Sequence, residues 1–112
     1  MARGVIDYEP LIDNVLISKT ETVYTFSSSR KLSDYSVISI QVQIGDYYRH
    51  GITIPVANMN SAADGMFSIT NYSGVEWVET VLYYYSDTQI KMKYNASGTF
   101  TMHVNIDGFI KN

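Results

Sequence analysis

Cysteine is absent from the 112 residues, which excludes disulfides, a thiol nucleophile and thiolate metal sites outright. Charge is sparse too: Asp, Glu, Lys and Arg make up 17% of the chain, against about 25% in an ordinary globular domain. The balance is weakly acidic, with a formal net charge of −3 and a pI near 5.1. Nucleic acid and anionic membrane surfaces are bound through basic faces, so neither is expected as a partner. No apolar run approaches the roughly 18 residues of a membrane span, and no membrane insertion is expected. The start, Met1-Ala2-Arg3-Gly4 followed by mixed Val5-Ile6-Asp7-Tyr8, lacks the continuous apolar stretch of a signal peptide.

Catalytic patterns are equally scarce. There are two histidines, His50 and His103, with no H-x-x-x-H spacing. G-x-S-x-G, G-x-G-x-x-G and G-x-x-x-x-G-K-[ST] are all missing, so a hydrolase nucleophile or a phosphate cradle has nothing to rest on. A Ser/His/Asp group assembled from distant strands is defined by geometry rather than spacing, and two histidines leave it little to draw on. Glu76 and Glu79 stand three apart, which in a strand puts them on opposite faces rather than in an acid/base pair. With no EF-hand loop either, the chain is expected to be a non-enzyme without metal or cofactor.

What the chain does have is period-2 alternation. Residues 37–44 place Ile38, Ile40, Val42 and Ile44 on one face and Ser39, Gln41 and Gln43 on the other. Residues 99–107 alternate as cleanly, with Phe100, Met102, Val104 and Ile106 inward, and residues 88–94 oppose Ile90, Met92 and Tyr94 to Gln89, Lys91 and Lys93. Such segments are half-buried strands. Residues 22–26 and 51–56 are rich in β-branched and aromatic types and predict two more strands, with 14–18 and 66–71 as shorter ones. Turn-forming residues separate them at Ser27-Ser28-Ser29, Gly45-Asp46, Ser73-Gly74, Ser86-Asp87 and Asn95-Ala96-Ser97-Gly98. Residues 56–65 have room for one short helical turn. The expectation is an all-β, antiparallel, jelly-roll-like β-sandwich of seven to nine strands. Its core is expected to include Ile38, Ile40, Val42, Ile54, Phe67, Ile69, Ile90, Met92, Phe100, Met102 and Val104.

Residues 75–85 break the pattern by carrying large groups on both faces. A strand of that kind is covered on both sides, by its own core and by a loop, a sister subunit or a ligand. Trp77, Val81, Tyr83, Tyr84 and Tyr85 are therefore candidate interface residues. A second candidate surface is the glycine-bounded turn 45–51, since exposed turns on a rigid β scaffold carry recognition. There Tyr47 and Tyr48 would stack on sugar rings while Asp46, Arg49 and His50 bond to hydroxyls or a charged substituent. Trp77, the one tryptophan, is a further ligand-binding candidate. In the plainer reading Tyr48 begins the next strand, Arg49 pairs with a carboxylate and Trp77 is core or trimer interface.

The order of segments also carries a resemblance. Leu32-Ser33-Asp34-Tyr35 leads into the long alternating strand, and an arginine-containing strand ends in Ile52-Thr53-Ile54-Pro55-Val56. Phe67-Ser68-Ile69-Thr70, the tyrosine run, Ser86-Asp87-Thr88-Gln89-Ile90 and a closing Asp107-Gly108-Phe109-Ile110-Lys111 follow. Over roughly residues 14–112 this resembles the small β-sandwich tip or head domains of phage and prophage tail fibres. The resemblance implies a viral structural protein for host attachment, made in the bacterial cytoplasm and carried on the virion. It implies a homotrimer and a receptor-binding surface for a bacterial glycan or envelope component. Residues 1–13 would be a lead-in segment, either a remnant of the fibre shaft or the start of a short gene. Low charge and many hydroxyls and tyrosines suit such a surface independently. Two alternatives stay open: a purely structural virion domain, for decoration or trimer locking, and a carbohydrate-binding accessory module of a secreted enzyme.

Overall fold

The computed structural model describes residues 5–46, 48–61 and 66–112. Eight strands run in chain order: β1 (Val5–Ile17), β2 (Thr22–Thr25), β3 (Tyr35–Ile44), β4 (Tyr48–Pro55), β5 (Met66–Tyr72), β6 (Trp77–Ser86), β7 (Gln89–Asn95) and β8 (Met102–Lys111). One short helix, α1 (Val56–Ser61), follows β4 where a helical turn is expected, and 3₁₀ turns occupy Ser27–Ser29 and Leu32–Asp34. Two four-stranded antiparallel sheets result, in the orders β1-β8-β3-β4 and β2-β7-β6-β5. The pairs β1·β8 and β2·β7 nest around the chain as in a jelly roll, whereas β3–β4 and β5–β6 are local hairpins.

Alternation decides which side of each sheet is buried. Ile38, Ile40, Val42 and Ile44 of β3 meet Met102, Val104 and Ile106 of β8 in the first sheet, all at most 3% exposed. Ile69, Val78, Leu82, Ile90, Met92 and Tyr94 face them from the second sheet. Of the expected core, Ile54, Phe67 and Phe100 are partly buried against this cluster rather than inside it. Each lies where the sandwich opens, at an edge strand or in the loop before β8. Helix α1 contributes Val56 and Met59, a plug that follows from the i, i+3 spacing of one turn.

The lead-in segment is not a separate piece. From Val5 onward it forms β1, whose register on β8 runs from Val5↔Lys111 to Ile17↔Met102, and Leu11 and Ile12 are core residues. Three register shifts explain why its alternation is unreadable in sequence: bulges turn adjacent Leu11 and Ile12 both inward.

Three of the segments that carry the resemblance meet at one corner. Leu32 N donates to Asp87 O, Ser33 N to Asp87 Oδ1 and Ser33 Oγ to Asp87 Oδ2, at 2.8, 2.9 and 2.6 Å. Asn112 closes the same corner on Asp34 O and Ser33 O. Beside it the Tyr35 ring lies over Gly108 of β8 and donates its hydroxyl to Glu9 of β1 at 2.6 Å, so one side chain spans three strands. That bond, with Lys111 and Arg30 nearby, holds the Glu9 carboxyl below its usual range. Burial, and then Glu9, push the Tyr35 phenol up to about 12.

Asp107 shows the opposite sign. Burial on β8, and then the neighbouring Asp13 charge, raise its carboxyl above the ordinary value. A raised carboxyl favours the folded state while protonated and loses that contribution as pH rises through its folded value. Asp107→Asn is therefore expected to raise the melting temperature at neutral pH, with the gain vanishing below the ordinary carboxylate range. Calorimetric melts across that pH span check it. An equal gain at every pH would assign the effect to something other than charge.

Candidate functional site

The second corner, at the other end of β3 and β6, is built by two hairpins. In the β3–β4 hairpin Gly45 takes a left-handed φ of +58° and donates its N–H to Thr101 O at 2.9 Å. The residues after the turn are already strand. Tyr48, Arg49 and His50 belong to β4, the edge of the first sheet, so the expected recognition loop 45–51 is a tight turn followed by a strand. The β5–β6 hairpin turns on Ser73, whose Oγ accepts from Val75 N and Glu76 N at 3.3 and 3.0 Å and donates to Glu76 O at 2.8 Å. Gly74 at φ +95° completes that turn.

This turn sets Tyr72 and Trp77 directly across from each other. Their rings are 5.1 Å apart at 56°, a tilted pair that leaves Tyr72 46% and Trp77 66% exposed. The hairpin tip rests on the other sheet: a Cβ on Gly74 would come within 2.5 Å of Tyr48 Oη. A second tie runs between the sheets, where Asn71 Nδ2 donates to Val42 O at 3.1 Å. Between these ties lies a hollow of about 430 Å³. Tyr48, Arg49 and His50 line it from β4, and Thr70, Asn71, Tyr72 and Trp77 from the hairpin. On the far side of Tyr48 a smaller hollow of about 280 Å³ is bordered by Asp46, Ser73, Thr99 and Thr101.

Among the described residues no carboxylate lines the larger hollow. Glu76 is turned away onto the loop before β8, where its oxygens accept from Ser97 N, Ser97 Oγ and Gly98 N at 2.8 to 3.0 Å. Those donors, the Ser97 amide foremost, hold its carboxyl below the usual range. Glu79 accepts from Asn95 at 2.9 Å. Arg49 has no ion pair among the described residues. Asn71, only 4% exposed, has its Oδ1 buried without a donor; Thr80 Oγ1, in the core, is the other such atom among the described residues.

Tyr48, Arg49, His50 and Trp77 thus come together from two sheets. Asp46 is separated from them by Tyr48, and Tyr47 lies outside the described residues. Thr70, Asn71 and Tyr72 join the site without any sequence signal, because only hairpin register puts Tyr72 beside Trp77. Trp77 is neither core nor buried. Of the remaining interface candidates, Val81 is 4% exposed yet outside the core cluster, on the outer face between Ser68 and Lys93. Tyr83 and Tyr85 flank Lys91 on that face at 5.8 and 5.6 Å, and Lys91 pairs with Glu21 at 3.6 Å. Tyr84, opposite Ile90, is 36% exposed. Among the described residues no three metal-ligating side chains gather, and no helix is long and apolar enough to cross a membrane. No family model, curated protein or solved structure matches the chain.

Proposed function

We propose that the protein is a non-enzymatic recognition module whose hollow between β4 and the β5–β6 hairpin binds a saccharide. The reading rests on one observation: an uncovered aromatic pair, Tyr72 and Trp77, borders the same hollow as Arg49 and His50. Sugars present an apolar C–H face and a rim of hydroxyls. Flat aromatic rings meet the first, and fixed nitrogen donors meet the second. The fold by itself argues for no particular ligand.

In the fuller form of the proposal the module is a tail-fibre tip that touches a bacterial surface glycan. Strand polarity supports that placement. Val5, Lys111 and Tyr35 lie together at one end, whereas Ile17, Met102 and Ile44 lie together at the other, beside the hollow. The ten residues of β3, nine rises, separate the ends by about 30 Å. Chain attached before residue 5 would leave the hollow facing outward. The fuller form also carries a homotrimer, with Tyr83 and Tyr85 on the outer face as the shared surface; light scattering then returns three times 12.7 kDa.

Display of the protein on an array of bacterial surface glycans tests the binding reading. At least one glycan is expected to bind, and Trp77→Ala to weaken it by about tenfold or more, a loss of about 1.4 kcal/mol. Because Trp77 is 66% exposed, the melting temperature is expected to stay within a few degrees. An array with no binder, or Trp77→Ala binding as tightly as the parent, overturns the assignment of this hollow.

A further inference from the structure

We propose that the sugar taken by this hollow is acidic, its carboxylate or phosphate held by Arg49; the proposal rests on the saccharide reading above and names the class. Two observations lead to it. The first is where Arg49 stands: Arg30 and Lys111 converge on Glu9 and Lys91 on Glu21, while Lys19, Lys31 and Lys93 also lack an ion pair among the described residues but do not border the hollow. Arg49, by contrast, borders a concave surface on a chain of net charge −3 and has no ion pair among the described residues.

The second is that the described acids of the two hairpins do not line the hollow. Glu76 is committed to Ser97 and Gly98, Glu79 to Asn95, and Asp46 opens onto the other hollow behind Tyr48. Among the described residues the wall presents Arg49 and His50 without a carboxylate. A guanidinium offers its donors as a planar fork that matches two oxygens of one carboxylate or phosphate. A neutral sugar would use that fork one hydroxyl at a time.

Asn71 lines the same wall, with its Nδ2 fixed on Val42 O. An acidic sugar would bring an anionic group to Arg49 and hydroxyls to the polar wall, with its C–H face on Tyr72 and Trp77.

Trp77 is the only tryptophan and borders the hollow, so its fluorescence reports occupancy, with titration calorimetry alongside. The probes are matched pairs up to about 50 mM, a ceiling that reaches binding free energies of only about −2 kcal/mol. Glucuronate is set against glucose, galacturonate against galactose, N-acetylneuraminate against N-acetylmannosamine, and glucose 6-phosphate against glucose. At least one acid is expected to bind about tenfold tighter than its neutral partner, and Arg49→Met to erase the difference while Arg49→Lys keeps part of it. Carboxylate and phosphate arms separate the two sources of charge. Equal affinity for acid and neutral partner, or a preference that survives in Arg49→Met, overturns the acidic class and leaves the saccharide reading standing. Acetate or inorganic phosphate binding as tightly as the sugars overturns it as well. Silence from every probe in both measurements overturns the class and the saccharide reading together.

Discussion

A chain lacking residues 1–13 is expected to lose its cooperative melt. The deletion removes Leu11 and Ile12, which are 0% and 4% exposed, and bares the part of β8 that they and their neighbours cover. Truncating one buried Leu or Ile to Ala costs about 2–5 kcal/mol. The Glu9 acceptor of Tyr35 and Lys111 goes with them. Unpaired strand edge is exposed too, along the register from Val5↔Lys111 to Ile12↔Ile106. Together these losses approach the roughly 5–15 kcal/mol by which a domain is stable at all. Leu11→Ala alone should lower stability by about 2–5 kcal/mol while the melt stays two-state. Near-ultraviolet circular dichroism during thermal unfolding measures both. A truncated chain that melts within a few degrees of the full chain would show that β1 is an ornament on a sandwich complete without it.

Substitution of Gly108 is expected to be nearly as severe. The Tyr35 ring covers this glycine so closely that a Cβ would fall inside ring contact distance. The ring has little room to retreat, being 3% exposed and tied through its hydroxyl to Glu9. Gly108→Ala should therefore cost about 3 kcal/mol, at the upper end of overpacking. Tyr35→Phe keeps the ring and removes only a bond to a charged acceptor, about 1.5–3 kcal/mol. The decisive comparison is Gly108→Ala made in a Tyr35→Leu background. If ring contact is the cause, the alanine penalty falls below about 1 kcal/mol there, a coupling that denaturant melts of the four proteins resolve. An unchanged penalty in the leucine background would place the cause in the backbone of β8 instead.

Period-2 patterning made most of the sandwich readable from residues alone. In β3 and β8 one face meets a core and the other meets water, so Ile38 to Ile44 and Met102 to Ile106 declare their own orientation. Turn chemistry at Gly45, Ser73-Gly74 and Ser86-Asp87 marked where the chain reverses. Only the end of β1 was legible, as the short strand expected at 14–18; the rest stayed hidden because its bulges break the period that makes a strand visible. The tyrosine strand β6 kept its second meaning hidden as well. Val81 is covered on the outer face by a sheet neighbourhood that includes Ser68 and Lys93, and no sequence window shows which side chains share a row across four strands.

For the site the division is sharper. In the sequence the glycine-bounded turn marked Tyr48, Arg49 and His50, and Trp77 stood out as the one tryptophan. Their union was decided by tertiary structure: β4 and β5 are the edges of different sheets, and the Ser73 turn aims Trp77 back toward the tip where Tyr48 meets Gly74. The inclusion of Asn71 and Tyr72, the exclusion of Asp46 and, among the described residues, the lack of a carboxylate in the wall follow from sheet register and from where Glu76 finds its donors. Local sequence sets a strand's two faces because backbone pleat is local. Which edges of two sheets lie side by side is a matter of packing between residues far apart in the chain, and no local rule encodes it.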